Sequence, residues 1–229
     1  MAKLDTEPSS RGGWLRGLAS IYLQVRRTLD SRFLDRALIR VFGGVHPKNV
    51  FNYRWEFFAE HVSSDDVVID VGCGTGLILS KITSKIKAGY GLDHDPKLEK
   101  YWLAFPHGDN IKPVTVDWHS FDFEAFARKT GYGVAIFSHV LEHIEDVPAL
   151  LKRVKAARLL ICVPSQENWR TQLLIHWGLP FMTDPTHFRE YTRAMLRAEL
   201  EVVGYRVLEM GFNAEGEIVC SAVAGGEPV

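Results

Sequence analysis

The stretch that most constrains this chain is Val67-Val68-Ile69-Asp70-Val71-Gly72-Cys73-Gly74-Thr75-Gly76. A short β-branched run ending at an acid reads as a buried strand. Glycines at alternate positions then serve a sharp turn or the close approach of a ligand. The apolar-periodic Leu77 to Ile86 behind them reads as a helix. Strand, glycine turn and helix make up the opening unit of an open α/β sheet. In such sheets ligands sit beyond the carboxyl ends of the strands, where the strand order reverses.

The rest of the chain repeats this grammar. Gly89-Tyr90-Gly91-Leu92 ends at Asp93, and further apolar runs cover Ile111 to Val116, Val134 to Phe137 and Leu159 to Val163. Helix-like pieces lie between them at Pro96 to Leu103, Phe121 to Lys129 and Val147 to Ala156, and another fits Phe51 to Val62 before the first strand. Strands that alternate with helices form a parallel sheet, and continuous apolar strands are buried on both faces. Thr192 to Val203 reads as a last helix. Tyr205 to Phe212 and Glu217 to Ala224 read as a hairpin around Asn213-Ala214-Glu215-Gly216. The expected fold is α/β: a Rossmann-like, seven-stranded, mostly parallel sheet with one antiparallel strand in its edge region and helices on both faces.

Composition agrees with an ordinary globular chain. The 229 residues are 46% hydrophobic and 24% charged with a formal net charge of -1, which excludes a disordered chain and gives no global case for nucleic-acid binding. Cys73, Cys162 and Cys220 are sparse and far apart, which argues against a disulfide scaffold and for a reducing, cytoplasmic setting. Met1 to Ser10 holds Asp5 and Glu7 with no apolar stretch and does not read as a signal peptide.

Charge is uneven along the chain. Seven arginines and two acids, Asp30 and Asp35, fall between Arg11 and Arg40, with Leu15, Leu18, Tyr22, Val25 and Leu29 at helical spacing. Residues 1–48 therefore read as an amphipathic helical extension and 49–229 as the main α/β domain. The extension either packs with its arginines in water or lies on an anionic membrane face.

The second chemical element is Asp93, 17 residues past Gly76 and followed by His94. A carboxylate at that strand end accepts the hydroxyls of a ribose. Asp70, beside the turn, would repel a pyrophosphate but suits a ligand with an ammonium group. The dinucleotide fingerprint would also place its third glycine where Leu77 stands. Glycines at 72, 74 and 76 after Asp70 instead resemble the first motif of the class I S-adenosylmethionine-dependent methyltransferases. Phe137-Ser138-His139-Val140-Leu141-Glu142-His143-Ile144 resembles the segment after the fourth strand in that family's small-molecule branch, which includes ubiquinone-biosynthesis O-methyltransferases and glycan-modifying relatives. The resemblance covers about Asn49 to Ala224 and departs at Gly133-Val134, where many relatives carry an acid.

The resemblance implies S-adenosylmethionine as cofactor. Asp70, Gly72, Cys73, Gly74 and Gly76 would hold its methionine part and Asp93 its ribose, with His94 also among the cofactor-binding residues. Asp117 and Trp118 would take the adenine, and Ser138 and His139 would line the cofactor through their backbone. Tyr53 and Arg54 stand where they would reach its carboxylate.

The implied reaction is methyl transfer to a small-molecule hydroxyl on a phenol, a sugar or a lipid-linked glycan. A neutral histidine suits the base that such an acceptor gains from, and His143 and His187 are the candidates. Trp169, Trp177, Phe181 and Met182 fall in an insert that reads as an acceptor pocket, a lid or packing. His139 to His143 also matches His-x-x-Glu-His, a zinc-peptidase pattern. It stands at the end of a strand and not within a long helix, so no metal is expected. The rival classes are a cofactor-binding scaffold without turnover and, against Leu77, an NAD-dependent oxidoreductase.

Overall fold

The computed structural model describes residues 54–103, 107–117, 120–182 and 184–225, with scattered helical positions between 17 and 41. The Arg11 to Arg40 extension lies largely outside the described residues, as do Tyr53 and Trp118. The chain divides into two compact units, Met1–Asn52 and Tyr53–Val229.

The second unit opens with α1 (Arg54–Glu60), followed by β1 (Val67–Val71) and α2 (Leu77–Ile82). The helix expected to reach Ile86 closes instead in a tight turn over Thr83–Lys85. Next come β2 (Ala88–Asp93), α3 (Leu98–Trp102), β3 (Ile111–Thr115), α4 (Phe123–Thr130) and β4 (Val134–Ser138). The chain ends with α5 (Val147–Val154), β5 (Arg158–Val163), α6 (Trp169–His176), α7 (Arg193–Val202), β6 (Tyr205–Phe212) and β7 (Ile218–Ala224). Side-chain caps start four of these helices: Asp122 accepts from the Ala125 N–H, Asp146 from Ala149, Asn168 from Thr171 and Thr192 from Met195.

The seven strands run in the order β3-β2-β1-β4-β5-β7-β6. β1 to β5 pair in parallel, and β7 pairs antiparallel with both β5 and β6. The antiparallel strand is therefore one place in from the edge, because the β6–β7 hairpin turns back on itself. Asn213 shapes that hairpin, its side-chain oxygen accepting the N–H groups of Glu215 and Glu217 at 3.0 Å each. Pro113 explains the other edge. It has no N–H to donate, so β3 can carry it only on a side without a further strand.

Alternation along the buried strands sorts the core into two layers. Ile69, Val71, Ala135, Phe137 and Ile161 face one way, onto Phe123, Leu151, Val154, Leu196 and Leu200 of α4, α5 and α7. Val68, Val134, Ile136, Leu160 and Cys162 face the other way, onto Phe58, Leu79, Ile82, Leu98 and Trp102 of α1, α2 and α3. Strand order reverses between β1 and β4, so the glycine turn after β1 and the His139–His143 segment after β4 come to the same end of the sheet.

Candidate active site

The turn after β1 is built around buried acid. Asp70 is 1% exposed, and its Oδ2 has no hydrogen-bond partner among the described residues. Burial, aided by the charge of Asp93, pushes its carboxyl up to about 8. A buried carboxyl with an uncommitted oxygen suits a cationic partner. Gly72, Gly74 and Gly76 all have positive φ, at 73°, 52° and 72°. Their surroundings differ. A methyl group at Gly76 would meet the Trp102 ring at 2.5 Å, so that face of the turn is closed by α3. A methyl at Gly74 would meet nothing within 4 Å, so the turn is open to a ligand there.

Asp93 ends β2 next to this turn. Its Oδ2 accepts the Gly74 N–H at 2.9 Å and its Oδ1 the Asp95 N–H at 3.0 Å. The exposed His94 ring brings Nδ1 to 3.5 Å from the same Oδ1. Each carboxylate oxygen keeps capacity for another donor. Cys73 sits between the two acids, and burial with their negative charge drives its thiol far above the ordinary range, so it stays protonated and unreactive. Beyond β3, the Val116 N–H bonds the Asp93 carbonyl at 2.8 Å, and Ser120 donates to Asp117 Oδ2 at 2.9 Å. The structure thus brings Asp70, the three glycines, Asp93 and His94 into one constellation, which fits the cationic, hydroxyl-bearing cofactor expected from the sequence.

A second constellation stands at the ends of β4 and β5. Ser138 closes β4. His139 adopts φ 58°, and its N–H bonds the Cys162 carbonyl at 2.9 Å. Its side chain is committed to two acids: Nδ1 lies 3.3 Å from Glu142 and Nε2 lies 2.8 Å from Glu217. Burial disfavours the imidazolium, but the two nearby carboxylates outweigh it and hold His139 above its ordinary value. Arg54 donates to both oxygens of Glu217, at 2.7 and 2.8 Å, and Asn213 adds a third bond at 2.8 Å. Burial would raise the Glu217 carboxyl, yet His139, Arg54 and Asn213 hold it at about 2. The guanidinium of Arg54 is therefore engaged by Glu217.

His143 and His187 come together, with ring centroids 4.5 Å apart in an edge-to-face pair. His143 ends a tight turn over Leu141–His143, and His187 stands in the loop between α6 and α7. The two loops are tied by the Phe188 N–H on the Glu142 carbonyl at 2.8 Å and by Arg189 on the Glu145 carbonyl at 2.6 Å. Tyr191, fully buried, anchors the same loop through Glu199 at 2.9 Å.

Two groups of metal-type donors occur among the described residues, His139–Cys162–Glu217 and Glu142–His143–His187, each with its atoms within 4.8 Å. In the first, Arg54 already supplies the positive charge, so it does not suit a cation. The two histidines of His-x-x-Glu-His fall into different groups, and His139 lies outside the short turn that holds His143. That is not the one-helix-face arrangement of a zinc peptidase. Sequence reading missed Glu217, Thr186 and Asp184, whose roles depend on partners distant in the chain or on the loop's folded shape. Glu142, fully buried, was visible only as part of a motif.

Fold, glycine turn and paired strand-end acids together define a class I, S-adenosylmethionine-dependent methyltransferase. A family model described as a methyltransferase domain matches residues 47–210, and the chain belongs to that family. It is 28% identical over 183 residues to the ubiquinone biosynthesis O-methyltransferase of Rickettsia bellii (strain OSU 85-389), covering 73% of this chain and 71% of that protein. It is 25% identical over 119 residues to the protein of the same name from Rhodopseudomonas palustris (strain BisA53), covering 50% of this chain and 46% of that one. The chain thus spans about half the length of several curated relatives it matches. Magnesium protoporphyrin IX methyltransferase from Synechocystis PCC 6803, solved with bound SAH, shares the fold at a TM-score of 0.60 and 19% identity, with 89% of this chain and 100% of that chain covered.

Proposed function

We propose that this chain transfers a methyl group from S-adenosylmethionine to a hydroxyl of a small molecule, with His143 as general base. The observation that carries the reading is the placing of two constellations at one end of the sheet: Asp70–Gly74–Asp93 beyond β1 and β2, and the His143–His187 pair beyond the neighbouring β4. The names of the curated relatives, O-methyltransferases of ubiquinone biosynthesis, support a hydroxyl acceptor.

The cofactor, when bound, supplies a methyl group already activated on a sulfonium, so positioning does most of the work. Asp70 and the open face at Gly74 would hold its charged end. Asp93 would take the ribose, and Asp117 the adenine side with Trp118. His143 would accept the acceptor's proton. The acceptor oxygen would then take the cofactor's methyl group, with the electron pair of the carbon–sulfur bond left on its sulfur. His187, edge-on to His143, would orient it or share the base role. Three free cysteines support a reducing compartment, and we place the protein in the cytoplasm. The arginine-rich residues 1–42 would give it contact with anionic membrane.

The test is transfer of tritiated methyl from S-adenosylmethionine to a panel of catechols, sugars and polyprenyl-linked glycans. Product from at least one hydroxyl compound, lost in His143→Ala, supports the reading. Cofactor binding without turnover on any acceptor favours a scaffold role.

A further inference from the structure

The loop between α6 and α7 does more than carry His187. Thr186 Oγ1 lies 2.6 Å from Asp184 Oδ1 and 3.0 Å from His143 Nδ1, and the Thr186 N–H bonds the same Asp184 oxygen at 2.8 Å. A threonine hydroxyl has one proton to donate. The hydrogen bonds from the Thr186 hydroxyl and N–H hold the Asp184 carboxyl below its ordinary range, so it is ionised and can only accept. The hydroxyl proton therefore points to Asp184, and the hydroxyl oxygen is left to accept from His143. That requires the proton of the neutral imidazole to sit on Nδ1, which leaves the lone pair on Nε2.

We propose that Asp184 and Thr186 are positioning residues that fix His143 in the Nδ1–H tautomer, so that Nε2 is the nitrogen that takes the acceptor's proton. The inference rests on the reading of His143 as base and names the device that makes it one. The logic is that of a base oriented by a third group, here with a hydroxyl between acid and imidazole. The other titratable groups around the ring are compatible with it. Glu142 is buried, with a carboxylate oxygen within 4.8 Å of ring nitrogens of His143 and His187; His187 lies edge-on to His143, and Glu190 stands 3.7 Å from His187 Nδ1. His139 turns away to Glu142 and Glu217. The backbone bond from Phe188 to Glu142 holds the loop in register with the turn that carries His143.

The experiment is long-range ¹H–¹⁵N spectroscopy of the full chain labelled at histidine nitrogen, at a pH where His143 is neutral. His143→Gln identifies its signals. The wild type is expected to show Nδ1 protonated and Nε2 bare. Thr186→Val should lower the ratio of the Nδ1–H to the Nε2–H form by about fivefold, the size of one net hydrogen bond. Thr186→Ser should restore it, and Asp184→Asn should lower it. Calorimetric titration with S-adenosylhomocysteine, unchanged across the variants, shows that each is folded. A wild-type His143 protonated on Nε2, or a ratio that Thr186→Val leaves unmoved, overturns the proposal. The readout needs no acceptor, so its failure leaves methyl transfer standing. A His143→Gln variant that still transfers methyl groups defeats the base assignment without touching the tautomer.

Discussion

Gly74 donates its backbone N–H to Asp93 Oδ2 at 2.9 Å, so the carboxylate that ends the second strand also holds the glycine turn that ends the first. Loss of that carboxylate should loosen the turn and remove the proposed ribose acceptor together. Charge-assisted hydrogen bonds contribute about 1.5–3 kcal/mol each. Asp93→Ala should therefore weaken S-adenosylhomocysteine binding by about 30-fold or more, while His143→Ala stays within about twofold. Titration calorimetry checks this, and equal losses in the two variants would remove the ribose assignment.

Gly74 and Gly76 separate binding from stability. Both have positive φ, which costs a residue with a Cβ about 1–2 kcal/mol. Gly76→Ala must also displace the Trp102 ring, found 2.5 Å from the added carbon, and overpacking costs about 1–3 kcal/mol more. Gly74→Ala should lower Tm by only a few degrees yet block the cofactor. Gly76→Ala should lower Tm about twice as far. Thermal melts beside calorimetry distinguish the two, and equal Tm losses would contradict the assigned packing.

Asp70 gives the cofactor-free protein a pH signature. Its folded carboxyl is pushed up to about 8 from an ordinary 3.8. Between those values the folded state holds a proton that the unfolded state has released, so stability falls as pH rises. His139, also raised, loses its contribution as pH climbs above its ordinary range. Glu217, held at about 2, acts in the opposite sense and loses its contribution as pH drops below about 4.5. Tm should therefore decline from pH 5 to 8, and Asp70→Asn should flatten that slope. S-adenosylmethionine should bind more tightly at pH 8 than at pH 6, because its cationic end favours ionised Asp70. An unchanged slope in Asp70→Asn would rule out the buried acid as its source.

Much of this arrangement is legible in the sequence because it is local. Val67 to Gly76 carries strand, turn and helix start within ten residues, and its glycines stand at the positive-φ positions. The strand runs and the Asn213–Gly216 hairpin are equally local, and each was expected within a few residues of its place. Four features were not legible. Arg54 and Glu217 are 163 residues apart, so no window contains both. Trp102 reads as one more apolar residue until the fold slides it beneath Gly76. Helix α6 was read as an insert, since Leu173-Leu174-Ile175 run consecutively and mark no single apolar stripe. His143 and His187 were named separately, and only the loop-to-loop bonds bring them together.

The Arg54–Glu217 pair is a structural claim in its own right. Its side chains are 15% and 13% exposed, and it joins α1 to the residue before β7, with His139 Nε2 2.8 Å from Glu217. Removal of one partner strands a largely buried charge, which costs about 3 kcal/mol or more. Arg54→Met should destabilise the fold by about that much, and Arg54→Met with Glu217→Met should recover part of it. Denaturant unfolding of these two variants and of Glu217→Met alone measures the coupling. Additive losses would mean the pair is not an energetic unit.

The central claim is that the Asp70–Gly74–Asp93 constellation binds S-adenosylmethionine. Calorimetric titration of the full chain with S-adenosylmethionine, S-adenosylhomocysteine and NAD tests it most directly. The account predicts micromolar binding, about -8 kcal/mol, to the two adenosyl ligands, none to NAD, and loss in Asp93→Ala. Binding of NAD in place of the adenosyl ligands, or adenosyl binding that Asp93→Ala leaves intact, would contradict it.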